Sequence, residues 1–305
     1  MTKRPPGQQV LIASSADGLV WSAPQPAVPR QIKENLVHCS VGLMASEHGL
    51  YLFCGTKMNL HDDKAAPGMH GFGPKARRWD LHSSQDGNHW QLRTPRLLDA
   101  GSGHNAIYEA PRFTRDGVLM CGGTHNGPAV FRWPGRDPTE RPEVIAVPPT
   151  PGLRFPYGEA TWHQTRDGLI VMFWRDEAHS TRLYVNSSKD GRRSWTMPVI
   201  TDIPNSMQRV YGGTLPNGRA YLINDACPQL LLRRPLTIAL SDDRCVFDRI
   251  WMLVDDPTEY RFPGLLKVHG WQYPAAFVNG NRLLVADNAN KEGIGCGVIE
   301  LQQLS

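Results

Sequence analysis

The sequence predicts an all-β fold, a β-propeller of four-stranded blades, on three observations: a repeated Ser-x-Asp turn, a spacing of about 50 residues between its copies, and abundant turn formers. In the clearest copy a strand from Leu183 enters Ser188-Lys189-Asp190, Gly191 turns the chain, and Trp195 opens the next strand. Related copies are Ser15-Ala16-Asp17-Gly18 with Trp21, Ser84-Gln85-Asp86-Gly87 with Trp90, and the degenerate Ser241-Asp242-Asp243 with Phe247. Ser and Asp side chains bond the turn's own N–H groups, Gly accepts positive φ, and the aromatic residue packs between neighbouring sheets. The four Asp stand at 17, 86, 190 and 243, so the intervals are 69, 104 and 53. Because 104 is twice 52, a decayed copy is expected near Asp137, where Phe131-Arg132-Trp133-Pro134-Gly135-Arg136-Asp137 stands. Gly 29 and Pro 25 suit many short strands joined by turns.

The strands follow in order. Unit one covers 38–94, with strands His38 to Ala45, Leu50 to Gly55, Arg78 to Ser83 and Trp90 to Arg93. Unit two covers 108–148 and turns at Arg115-Asp116-Gly117, unit three covers 158–200 and turns at Arg166-Asp167-Gly168, and unit four covers 209–254 and turns at Pro216-Asn217-Gly218. The fifth, 272–303, turns at Asn279-Gly280-Asn281 and lacks a fourth strand, which an N-terminal strand in the hairpin 9–23 can supply. The expectation is a single domain over 1–305 with five blades, or six if the N-terminal hairpin builds a reduced blade of its own. No run of 3.6-residue periodicity exceeds two helical turns.

Composition narrows the function. A net charge of +4 without a Lys/Arg block argues against nucleic acid, and suits an anionic small substrate met by a local basic cleft. The six cysteines are scattered without a Cys-x-x-Cys pair and read as reduced, mostly core residues. Neither an apolar signal core nor a run of membrane-spanning length is present, so the chain as given reads as soluble and cytoplasmic, or secreted if a signal peptide was trimmed, with no membrane partner.

Propeller topology sorts the loops. The a–b and c–d turns are short and generic, whereas the d–a and b–c connections, which share the opposite face, are chemically loaded. At the starts of the inner strands stand His38, His104, Tyr108-Glu109-Ala110-Pro111-Arg112, Gly158-Glu159 with His163, Arg209 with Tyr211, and Trp271-Gln272-Tyr273. The b–c loops add Lys57, His61, His70, Arg175-Asp176-Glu177, Arg233-Arg234 and Asn288 to Lys291. Acids, bases and aromatic residues from all five units are thus aimed at one mouth. Plainer alternatives exist for each: a surface salt-bridge set for Arg175-Asp176-Glu177, buried Arg partners for Glu109 and Glu159, blade packing for Trp162, Trp174 and Trp271. A metal site from His38, His61, His70 and Asp62 lacks any short ligand pair, so no metal or cofactor is expected. There is no Gly-rich phosphate loop and no Gly-x-Ser-x-Gly turn.

With these repeats placed, the chain resembles the sialidase superfamily, in its bacterial branch of Asp-box (BNR) repeat proteins. The likeness covers 105–303 and is best in Glu159, Arg175-Asp176-Glu177, Arg182-Leu183-Tyr184, Ser188-Lys189-Asp190 and Trp195, then Arg234-Pro235 to Asp243, Gln272-Tyr273-Pro274 and Asn290-Lys291-Glu292. A sialidase implies arginines holding a carboxylate, a Tyr nucleophile with a Glu partner, and an Asp acid. Arg112, Arg175, Arg209 and Arg234 are the candidates for the clamp, Tyr273 or Tyr211 for the phenol, and Glu109 or Glu159 for the base. The chain departs from that pattern at Val37-His38-Cys39-Ser40, where sialidases carry Arg-Ile-Pro. An inner-strand histidine is also similar to propellers that cleave rhamnosyl-glucuronate linkages.

Three functions follow. The first is an exo-acting glycoside hydrolase on an acidic glycan, with two of Glu109, Glu159 and Asp176 as acid and base. Here Arg112, Arg175, Arg209, Arg234, His61, His163, Tyr211, Gln272 and Lys291 bind the sugar. The second is a uronate lyase in which His38 or Tyr273 removes the C5 proton. The third is a glycan-binding propeller without turnover. The first is preferred because the mouth gathers acids, bases and cations together.

Overall fold

The computed structural model describes residues 9–28, 36–58, 78–99, 105–125, 127–151, 159–190, 193–243, 245–262 and 267–304. Among them all regular secondary structure is strand, apart from a 3-10 turn at Leu301–Leu304. Among the described residues no helix is long and apolar enough to cross a membrane.

The chain forms two compact units, one of Ser15–Trp21 with Val147–Ser305, the other of Thr2–Ser14 with Ser22–Ala146. The second holds a two-stranded sheet, β1 (Val10–Ile12) with β2 (Gln25–Val28). Its four-stranded sheet runs in sequence order through β3 (Leu36–Ser46), β4 (Gly49–Met58), β5 (Arg78–Ser84) and β6 (Gln91–Asp99). Its third sheet contains β7 (Asn105–Ile107), β8 (Arg112–Phe113), β9 (Leu119–His125), β10 (Pro128–Arg132) and β11 (Glu143–Ala146). There β7 and β8 both pair with β9, so the inner strand is interrupted at 108–111, around Pro111, which has no N–H for a ladder. Phe53, Trp79, Leu81, Leu119, Phe131 and Trp133 join the two larger sheets in one core.

The first unit holds three sheets of consecutive antiparallel strands. They are β12 (Ala160–Gln164) to β15 (Val199–Pro204) through β13 (Ile170–Arg175) and β14 (Arg182–Ser188). Next come β16 (Tyr211–Thr214), β17 (Ala220–Asn224), β18 (Leu236–Ser241) and β19 (Arg249–Val254). The last has three strands, β20 (Trp271–Asn279), β21 (Arg282–Ala289) and β22 (Gly293–Glu300). Second strands such as Ile170–Arg175 and Ala220–Asn224 are buried along their whole length, as strands covered on both faces must be. The outer β15 and β19 are exposed or half-buried along their whole length. Among the described residues no N-terminal strand extends the last sheet by a ladder. Instead residues 15–21 meet it at a turn, where a Cβ on Gly18 would stand 2.6 Å from Leu284 Cδ2.

The expected turn chemistry is present in every Asp copy. Ser15 and Ser84 hydroxyls accept the N–H groups of Gly18 and Gly87, and Asp17 and Asp86 accept the next two backbone N–H groups. The indoles of Trp21 and Trp90 close the same turns by donating to Gly18 and Gly87 carbonyls at 2.9 and 3.0 Å. Asp190 accepts from Ser194, and Asp243 from Cys245 and Val246. The decayed copy keeps the Asp, since Asp137 accepts the Thr139 N–H at 2.8 Å. Of the cysteines whose side chains are described, Cys54, Cys121 and Cys227 are buried free thiols and Cys296 a half-buried one.

The His89 N–H, the His89 ring and the Asn88 N–H hold the Asp86 carboxyl well below the ordinary carboxylate range. A depressed folded pKa stabilises the fold above the unfolded value of about 3.9 and is lost as pH falls further. Asp86→Ala is expected to lower the melting temperature at pH 7, with the gap to wild type shrinking below pH ~4. Thermal denaturation of both proteins across pH 7 to 3 checks it, and a gap constant with pH would contradict this account.

Candidate functional site

In the first unit the inner strands β12, β16 and β20 lie side by side. Thr161 Oγ1 accepts the Gly212 N–H at 2.8 Å, and Thr214 Oγ1 donates to the Gln164 carbonyl at 3.1 Å. Antiparallel pairing puts the start of each inner strand beside the end of its second strand, so residues there converge from all three sheets.

Glu159 precedes β12 and Arg175 ends β13. The Arg175 N–H donates to the Glu159 carbonyl at 3.0 Å, and the side chains form a buried ion pair through Arg175 Nη1 and Glu159 Oε2. Burial opposes ionisation of Glu159, but Arg175, Arg209 and Arg233 overcome it and leave the carboxyl below its ordinary value. Burial also opposes the Arg175 charge, and Glu159, Glu177 and Tyr273 reverse that as well.

Arg233 comes from the segment before β18. Its Nη1 donates to Gln272 Oε1, its Nη2 to the Met207 carbonyl at 3.4 Å, and its Cζ lies 5.4 Å from the Tyr273 ring centroid. The backbone is fixed too: the Trp271 N–H donates to the Arg233 carbonyl at 2.8 Å. Only glycine fits beside it, since Gly270 has φ +111 and a Cβ there would sit 2.1 Å from that carbonyl oxygen.

Tyr273 stands where the β20–β21 register shifts, between Gln272 and Ala275, and has φ 56. A bulge re-aims its side chain out of the ladder, and a left-handed aromatic residue costs on the order of 1–3 kcal/mol. Lys291, at the β21–β22 turn with φ 60, places its Nζ 5.2 Å from the Tyr273 centroid. Burial and then Glu159 push the Tyr273 phenol up, yet Lys291, Arg233 and Arg175 outweigh both and its pKa is lowered. A phenol easier to ionise than free tyrosine, next to an ionised carboxylate and three cations, is equipped as a nucleophile or base.

The two acids after Arg175 differ in use. Asp176 is consumed by the turn: its carboxylate accepts the N–H groups of Ala178 at 2.7 Å and Ser180 at 2.6 Å. Glu177 lies 3.4 Å from Arg175 Nη2. Burial raises its pKa, Arg175 opposes this, Glu159 and Asp176 add to it, and the result is about 7.

Glu159, Arg175, Gln272, Tyr273 and Lys291 are therefore brought together as the sequence leads one to expect, and Arg209 is close enough to act on Glu159. Gln272 is fully buried and serves as the seat of Arg233. Four expectations need correction. Asp176 is a turn cap rather than an acid. His163 is in the core, 1% exposed and stacked on Phe173 at 5.9 Å, because β12 is buried on both faces. Tyr211 packs on the cluster of Leu215, Ile223 and Ile238. Arg234 turns outward and donates to the Asp255 carbonyl at 3.3 Å, leaving the site to Arg233. His38, Glu109 and Arg112 belong to the other unit, where Glu109 is buried and paired with Arg112 at 3.1 Å and His38 is near enough to bias His82. His61, His70 and Asp62 lie outside the described residues, among which no cluster of three His, Cys, Asp or Glu could hold a metal.

Two residues gain weight from the structure. In Arg233-Arg234 no alternation selects the inward member, since both precede the strand. Glu177 is neighbour to a charged pair that only folding assembles.

A model of the BNR repeat-like domain matches residues 3–284. Comparison with curated protein sequences finds no match. Among solved structures the chain is similar to the Hadza microbial sialidase Hz136, with a TM-score of 0.71 at 13% identity over 97% of this chain and 60% of that one. It is similar to the NanB sialidase from Streptococcus pneumoniae, with 0.68 at 13% identity over 98% and 64%. It is also similar to the Penicillium chrysogenum alpha-L-arabinanase, with 0.59 at 15% identity over 98% and 87%. The chain thus spans less than two thirds of the two sialidases. Such likenesses show the fold, a β-propeller, whose five sheets of consecutive strands are those described above. With the repeat model matched over nearly its whole length, the chain belongs to the BNR repeat-like domain family.

Proposed function

We propose that the protein is a glycoside hydrolase that removes an acidic sugar from the end of a glycan, with Tyr273 as nucleophile and Glu159 as its base. One observation carries this reading: the Tyr273 phenol is surrounded by Glu159, Arg175, Arg233 and Lys291. Arg175 and Arg233, joined by Arg209, hold the sugar carboxylate, as planar guanidinium groups do best. A neutral phenol suits this substrate, because a carboxylate nucleophile would be repelled by the substrate's own charge.

In the reaction Tyr273 Oη attacks the anomeric carbon while its proton passes to Glu159. The bond to the leaving sugar breaks, and that oxygen takes a proton from Glu177, which burial keeps partly protonated near neutrality. Water then adds to the anomeric carbon and gives its proton to Glu177, and Tyr273 leaves and recovers its own from Glu159. Neighbouring structures that are named sialidases and an arabinanase support glycan chemistry on this fold.

Incubation with sialylated and uronic-acid glycans, read by both new reducing ends and near-ultraviolet absorbance, is expected to give reducing ends alone. Tyr273→Phe and Glu159→Gln should each lower kcat by about 100-fold or more while the proteins stay folded. An unsaturated product would replace the hydrolase with a lyase, and consumption of no glycan would leave a binding propeller.

The rate should fall as pH rises through about 7, where Glu177 loses its proton. Glu177→Gln is expected to remove that descending limb, and to slow a sugar leaving group at least ~10-fold more than a nitrophenyl one, which needs little protonation. Equal slowing of both would exclude Glu177 as the donor.

A further inference from the structure

The segment 255–262 has no regular secondary structure, yet it is fixed along its length. The Trp271 indole donates to the Asp256 carbonyl at 3.0 Å, Thr258 Oγ1 bridges the Gly270 N–H and Asn290 Oδ1 at 2.7 Å each, and Asn290 Nδ2 donates to the Glu259 carbonyl at 2.8 Å. The Arg261 and Phe262 N–H groups both donate to the Glu292 carboxylate at 2.9 Å. Lys267 Nζ pairs with the same carboxylate and donates to the Phe262 carbonyl at 2.6 Å. The Lys267 hydrogen bond, against some burial, and the two N–H groups bring the Glu292 pKa down to about 2, so the clamp is ionised at any working pH.

What this clamp displays is aromatic and open to solvent. Phe262 is 62% exposed and Tyr260 40%, with His269 stacked on Tyr260 at 3.9 Å. The loop's hydrogen bonds hold it in place, with Lys267 Nζ 5.5 Å from the Tyr260 centroid and Arg261 Cζ 5.7 Å from that of Phe262, while the exposed parts of the rings add little burial of apolar area. The position of the loop gives it a use. Its two anchors, Asn290 and Glu292, flank Lys291, whose ammonium faces Tyr273, and Arg233 is near enough to bias the Tyr260 hydroxyl. One short turn thus holds both the ionic site and the aromatic rim in register.

We infer that Tyr260 and Phe262 form a preorganised subsite for the leaving-group sugar, a neutral pyranose whose apolar C–H face packs on the rings while its glycosidic oxygen lies at the Tyr273 site. This rests on the hydrolase reading above. Aromatic faces take the apolar side of a sugar ring, and the Tyr260 hydroxyl and Arg261 guanidinium supply polar partners at its edge. Preorganisation matters because a weakly held sugar gains most when no loop has to be ordered on binding.

The test is binding by calorimetry in a Tyr273→Phe background, so that nothing is consumed. The probes are two matched pairs, N-acetylneuraminic acid with 3′-sialyllactose, and glucuronic acid with glucuronyl-xylose. The larger sugar of one pair should bind at least about tenfold tighter than its monosaccharide. Phe262→Ala and Tyr260→Ala should bring that ratio to within about twofold and leave the monosaccharide affinity unchanged. A ratio that survives both substitutions, or monosaccharide affinity that falls equally, overturns the subsite while the hydrolase reading stands. Failure of every monosaccharide to bind the background protein overturns the acidic-sugar reading, and the subsite with it.

Discussion

The buried pair of Glu159 and Arg175 is the constraint on which the rest of the site depends. Two charges withdrawn from water are tolerated only when each satisfies the other, and removing either leaves the survivor at a cost of about 3–5 kcal/mol. Their geometry is set by adjacent antiparallel strands, because the Arg175 N–H is also held by the Glu159 carbonyl. Backbone and side chain therefore fix one relation twice. That rigidity lets Arg175 act on Tyr273 and Glu177 together, depressing one pKa and contending with burial at the other.

Around the pair, the sheets supply position and the connections supply chemistry. Strands buried on both faces leave no room for function along their length, which is why His163, inside the inner strand β12, is packing material. Charged groups collect where strands start or end, and there local irregularity appears: the shifted register at Tyr273, the left-handed Asn290 and Lys291, the close approach of Gly270 to Arg233. Each is a departure from regular sheet that turns a side chain toward a common point.

The fold was legible because its signal is local. The Ser-x-Asp turn is a set of hydrogen bonds within a few residues, so four copies read in the sequence close as four turns, and even the decayed copy at Asp137 keeps its carboxylate in use. The site was legible wherever a residue sits next to a strand whose bounds are clear, as with Glu159, Arg175, Gln272 and Tyr273. It was not legible where the choice depends on groups far apart in sequence. Arg233 and Arg234 are chemically identical neighbours, and only Gln272, 39 positions on, and Gly270 decide which one turns inward. Asp176 and Glu177 are both acids, and only the N–H groups of Ala178 and Ser180 show that the first is already spent.

The balance of charge around Tyr273 connects these observations. Arg175, Arg209, Arg233 and Lys291 bring four positive charges against Glu159, with Glu177 partly protonated by burial. Arg175 and Arg233 are buried, and a charge withdrawn from water is costly unless it is matched. On the proposed hydrolase reading, the carboxylate of the bound sugar adds to that match and competes with Glu159 for the same guanidinium groups. As the arginines turn part of their charge to the ligand, Glu159 becomes a stronger base, and it does so at the moment the Tyr273 proton must leave. On that reading the clamp and the base are one electrostatic system, in which binding of the acidic group itself prepares the nucleophile.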